Sequence, residues 1–108
     1  MKTPITEYTE KILTDWISPS ESRQFPLPGE FWIFVIDGKV EAVDFLCPCG
    51  CGSECYTPVV PKGQPRTERV WEYEPGPTLS PSIRYTGGCK AHFNITNSKA
   101  VMHGDSGI

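Results

Sequence analysis

The sequence predicts a mainly β protein, one small domain of short antiparallel strands and hairpins with zinc-knuckle-like turns and a short N-terminal helix. Three observations carry that expectation. Eleven prolines and ten glycines in 108 residues interrupt the chain too often for long helices. Runs rich in aromatic and β-branched residues, such as Glu30 to Ile36, recur between turn signals. The apolar fraction is only 38%, so the core is thin and calls for a staple. A length of 108 residues suits one domain over 1–108 rather than two.

At the N-terminus, Ile5, Tyr8, Ile12, Leu13 and Trp16 are spaced to share one face of a helix over Ile5 to Ile17, with Thr3 as a cap and Pro4 near its start. Ser18 and Pro19 would stop it, which makes 1–20 a helical extension of a core over 26–103. The next pattern is a hairpin: Glu30 to Ile36, a turn at Asp37-Gly38-Lys39, and Val40 to Leu46 returning to the cysteines. Tyr56 to Val60 is extended, and Pro58 and Pro61 would confine it to a sheet edge or a loop. Val70 to Tyr73 and Thr78 to Arg84 flank the turn Glu74-Pro75-Gly76-Pro77. A last hairpin joins His92 to Thr96 and Ala100 to His103 across Asn97-Ser98-Lys99, and the tail from His103 to Ile108 is small and polar.

The staple is either disulfide or metal. No basic stretch followed by an apolar run opens the sequence, and the longest apolar run, Phe31 to Ile36, is far too short to span a bilayer. A cytoplasmic location is therefore expected. Thiols stay reduced there, so clustered cysteines read as metal ligands rather than bridges. Net charge is −3 with the two signs interspersed, which gives no support to a nucleic-acid surface. Arg66, Arg69 and Arg84 read as solvated strand and loop charges.

The chemistry concentrates in Cys47-Pro48-Cys49-Gly50-Cys51-Gly52 and in Cys89-Lys90-Ala91-His92. Zinc takes four tetrahedral ligands from thiolate and imidazole, with sulfur about 2.3 Å from the metal. Cysteines two apart share one side of an extended strand, and glycines let the strand turn so that a run of them converges. Cys89 and His92, three apart, have the spacing by which a second turn presents a sulfur and a ring nitrogen. Cys47, Cys49, Cys51, Cys89 and His92 are thus five candidates for four places around one zinc ion. Cys55 reads as a small buried hydrophobe and His103 is uncommitted. Two rival readings are a disulfide in an exported chain and a Rieske-like iron-sulfur centre, which needs two histidines where only His92 is suitably placed.

The segments Phe45 to Gly52, Tyr56 to Val59, Leu79-Ser80-Pro81-Ser82-Ile83 and Cys89 to Ile95, in this order, resemble a small bacterial and phage family known as a domain of unknown function, DUF 6527. The resemblance covers roughly Pro26 to His103. It implies a metal-binding β-domain without an established activity, sometimes encoded near bacterial ubiquitin-like conjugation genes. Asn94 departs from it, since an aromatic residue commonly stands there.

The function expected on these grounds is a protein-interaction or adaptor module with a structural zinc, its partner a protein and no membrane involved. Trp32, Trp71, Tyr56 and Tyr73 are candidate anchors for that partner. The alternatives are a metal-dependent enzyme, a Rieske-like protein, or an accessory factor of a bacterial ubiquitin-like conjugation system. A zinc deaminase is disfavoured because no glutamate follows His92 at the H-x-E spacing. Asp44 and Glu54 flank the cysteine turn, where they read as solvated strand-end charges rather than as catalytic bases.

Overall fold

The backbone of the computed structural model is described over residues 4–13, 26–64, 70–84 and 88–105. Eight strands follow one another in a single curled sheet whose spatial order is the chain order: β1 (Thr9–Leu13), β2 (Glu30–Ile36), β3 (Lys39–Phe45), β4 (Thr57–Pro61), β5 (Trp71–Glu74), β6 (Thr78–Arg84), β7 (His92–Thr96) and β8 (Lys99–Met102). Two tight turns rest on residues that reach positive φ. Asp37 (52°) and Gly38 (75°) join β2 to β3, and Asn97 (49°) and Ser98 (69°) join β7 to β8. Both central residues lie in the left-handed region, the conformation whose twist suits a two-residue hairpin.

The curl nearly closes on itself. β1 pairs in parallel with β2, and the residues just before it reach round to the far edge. Glu7 forms an antiparallel bridge with Lys99, the Tyr8 amide donates to the Ser98 carbonyl, and the Ala100 amide donates to the Thr6 carbonyl. Inside, Phe31 stacks on Phe45 with centroids 4.9 Å apart, Tyr8 meets both rings edge-on, and Phe93 packs against Phe45. Such aromatic pairs contribute about 0.5 to 1.5 kcal/mol each beyond the area they bury. Ile33, Val43, Leu79, Ile83 and Ile95 are among the other members of this cluster, while Trp32, Phe34 and Ala42 form a smaller one on the other face of β2 and β3.

Three expectations need correction. No helix occurs among the described residues, and the region read as helical contains β1, with residues 1–3, including the expected cap Thr3, and 14–20 outside the described set. Thr6, Tyr8, Thr9 and Ile12 favour an extended chain, and the ladder to β2 captures it. Tyr8 is accordingly buried, while Ile12 is 61% exposed instead of facing the core beside it. β4 lies inside the sheet rather than at an edge. Its start pairs with β3 and its end with β5, so each proline leaves one side unbonded without breaking a ladder. Asp44 is not solvated: it is 0% exposed, and neither of its carboxyl oxygens has a hydrogen-bond partner.

Candidate active site and candidate metal centre

The cysteine turn is the tip of the β3–β4 hairpin. Leu46 bridges Glu54, the Cys47 amide donates to Ser53 and the Gly50 amide to the Cys47 carbonyl, folding the loop into a knuckle. Gly50 (φ 90°) and Gly52 (φ 84°) take the left-handed turns that no β-branched residue would accept there. Lys90 (φ 52°) follows Cys89 in the opposing turn.

The four sulfurs of Cys47, Cys49, Cys51 and Cys89 all lie within 4.8 Å of one another, close enough to bind one metal ion. Cys47 Sγ is 3.4 Å from Cys49 Sγ and 3.8 Å from Cys89 Sγ, near the edge of about 3.8 Å that a tetrahedron of bonds about 2.3 Å long requires. All five cysteines are free thiols. The neighbouring Cys55 thiol and burial push Cys47 far up, and burial together with Cys51 and Cys47 raises Cys49 to about 12. Burial also raises Cys89. Cys51 falls to about 6, because burial is outweighed there by hydrogen bonds from Ser53, whose Oγ lies 3.2 Å from the sulfur, and from its cysteine neighbours. Crowded thiols resist losing protons together, and a cation among them reverses that resistance. The donor set therefore fits a thiophilic metal. Cys55 is buried in the main core cluster.

His92 is placed in other company. It begins β7, where Phe93 turns into the core and His92 comes opposite Arg84 on the outer side of the sheet. Ser82 stands two residues before Arg84 on β6. The β6–β7 register slips between Leu79 and Ile83, so that four steps along β6 match two along β7. A bulge of this kind re-aims the side chains within it. Ser82 Oγ lies 3.0 Å from His92 Nε2, and His92 Nδ1 lies 2.7 Å from Asp105 Oδ1. Arg84 Nη2, a donor, also approaches Nδ1 at 3.2 Å, but Asp105 is the nearer partner and a carboxylate only accepts, which assigns the proton to Nδ1 and leaves Nε2 to accept from the Ser82 hydroxyl.

Arg84 donates to the second oxygen of Asp105 and so braces the carboxylate. The His92 side chain is 18% exposed. Its pKa is lowered by partial burial first, then by the positive charges of His103 and Arg84, which favours the neutral, basic imidazole. Hydroxyl, imidazole and carboxylate in this chain of contacts are the parts of a nucleophilic triad, which is recognised by geometry and not by sequence order. A recess of 470 Å³ beside the knuckle, lined by Ile5, Leu46, Cys47 and Gly50 among others, includes none of the three.

A family model described as bacterial ubiquitination-like system serine protease (BubE) matches residues 17–103. The chain belongs to the BubE family. This match overturns the resemblance to a DUF 6527 phage family and places the chain with a bacterial ubiquitination-like system, with protein partners implied. Ser82 and His92 fall inside the matched stretch of the BubE family, and Asp105 lies just beyond it. No curated protein and no solved structure matches the chain. Reasoning from sequence missed Ser82 and Asp105 as site residues. The sequence carries no local pattern such as G-x-S-x-G around Ser82, and only the fold brings the three residues together.

Proposed function

We propose that the chain is a serine peptidase acting on a protein substrate of a bacterial ubiquitination-like system, with a single structural zinc at its cysteine knuckle. The observation that carries this reading is the continuous contact from Ser82 Oγ through the His92 ring to Asp105. Ser82 Oγ attacks a substrate carbonyl carbon while His92 Nε2 takes its proton. That proton then passes to the leaving amine, and water releases the acyl group from Ser82. Asp105 holds the ring and stabilises the imidazolium as it forms, and Arg84 holds Asp105. Family membership favours an accessory factor of the conjugation system over a free-standing adaptor.

Zinc suits the four-thiol set because closed tetrahedral sulfur sites are structural ones. It would tie Cys89, three residues before His92, to the knuckle and so fix the start of β7. A reducing cytoplasm keeps those thiols available. The test is labelling by a fluorophosphonate, which reacts with activated serines whatever the natural substrate. Covalent modification at Ser82, lost in Ser82→Ala and in His92→Ala, supports the reading. A folded wild-type protein that stays unlabelled and leaves fusions of the ubiquitin-like protein uncut refutes it.

A further inference from the structure

His103 lies against the triad without belonging to it. Its ring stacks on that of His92 with centroids 4.0 Å apart and planes 16° from parallel. Its backbone amide donates to the His92 carbonyl over 2.8 Å, and its Nε2 donates to Asn94 Oδ1 over 2.5 Å. The second histidine is thus fixed at two points, by β7 backbone and by a β7 side chain. We infer that His103 is a positioning residue which clamps the His92 imidazole in its working orientation. This inference rests on the peptidase reading of Ser82, His92 and Asp105.

The orienting part follows from geometry. An imidazole that rotates about its Cβ–Cγ bond loses the Ser82 and Asp105 contacts together, and a flat ring held against its face restricts that rotation. The electrostatic part follows from proximity, because two imidazoles at stacking distance resist carrying charge together. Groups in contact with His92 among the described residues include Ser82 and Arg84 from β6 and His103 and Asp105 from the segment after β8, while Asn94 of the same strand holds His103. Asp105 favours the imidazolium, whereas Arg84 and a protonated His103 oppose it. Removing His103 therefore shifts the balance toward Asp105.

The experiment measures the rate of fluorophosphonate labelling against pH for wild type, His103→Ala, His103→Phe and Asn94→Ala, with circular dichroism and metal content to confirm folding. His103→Ala should slow labelling on the alkaline plateau about tenfold or more, the scale expected when a catalytic group is slightly misplaced. His103→Phe keeps a flat ring in place and should recover most of that plateau. Its midpoint should still move up toward the ordinary histidine value of about 6.5, because phenylalanine takes no charge. Asn94→Ala frees one anchor and should fall between wild type and His103→Ala.

Wild-type plateau and midpoint in all three variants would overturn the inference. So would a Phe variant as slow as the Ala variant with its midpoint unmoved. If wild type is not labelled, the peptidase reading has failed. An NMR titration of the His92 ring nitrogens in wild type and His103→Phe then decides the coupling between the rings, and an unmoved His92 midpoint rejects it.

Discussion

The hydroxyl of Ser82 and the Nε2 atom of His92 meet at 3.0 Å across the bulged join between β6 and β7. In the proposed mechanism the pair acts as one unit with Asp105, so losing either member should be nearly as damaging as losing both. Ser82→Ala and His92→Ala should each lower kcat/KM on a ubiquitin-like fusion by at least about 10⁴-fold, and Asp105→Asn by about 10²- to 10⁴-fold. Steady-state kinetics checks the losses, and unchanged circular dichroism shows that the sheet survives them.

Activity should rise with pH through the acid range and then level off. In the proposed mechanism the base is the neutral form of His92, and burial with the charges of His103 and Arg84 lowers its pKa. The half-maximal point of a kcat/KM profile should therefore fall below the usual histidine value of about 6.5, leaving full activity at neutrality. A midpoint above that value would mean that Asp105 dominates the ring's surroundings.

Metal loss should unfold the chain rather than only silence it. Serine at Cys47, Cys49, Cys51 or Cys89 breaks the four-sulfur set, whereas Cys55→Ala leaves all four sulfurs and removes packing and the thiol beside Cys47. Comparable small zinc sites contribute on the order of 10 kcal/mol of binding energy to folding. Each of the four serine variants should show metal content well below one ion per chain, with a Tm lowered by more than about 10 °C. Cys55→Ala should retain its metal. Elemental analysis and thermal melts on the same samples separate the two classes, and wild type treated with chelator should behave like the first.

Asp44 supplies a test of the sheet itself. Burial and the neighbouring Glu54 carboxyl raise its pKa to about 8 from the ordinary 3.8, so the folded protein holds it protonated at neutral pH. A raised carboxyl pKa means stability that is fully present below the unfolded value and lost as pH climbs from about 4 through about 8. Asp44→Asn removes that loss. The variant should be more stable than wild type at pH 8.5, by about 1 to 3 kcal/mol, with the gap closing toward pH 5. Urea melts at the two pH values give the comparison.

Much of the fold was legible because local signals agreed with the final pairing. The β2–β3 and β7–β8 hairpins combine period-two patterning with Asp37-Gly38 and Asn97-Ser98, residues that tolerate positive φ. The three cysteines of the knuckle also declared themselves, since alternate positions and glycine turns leave sulfur few other uses. The N-terminal segment misled because a five-residue strand offers too few positions to separate period two from period three to four, and β1 is held by a distant partner in the chain. His92 was expected among the ligands, and the four sulfurs that lie within 4.8 Å of one another do not include its ring. Its spacing from Cys89 matches a ligand pair, but β7 begins at His92, and alternation sends its ring outward once Phe93 is committed to the core. Ser82 and Asp105 carried no signal of their own, because their chemistry arises only when a bulge and a chain reversal bring them to one ring.

The strap from Pro4 to Leu13 that closes the curled sheet lies upstream of the stretch matched by the family model, and Asp105 lies downstream of it. A recombinant fragment trimmed to residues 17–103 would lose the brace on its imidazole and bare the outer borders of both β2 and β8. Two open rows of amides and carbonyls invite other copies to zip on, so such a fragment should precipitate. Boundaries for any expression or crystallisation work therefore belong outside 4 and 105.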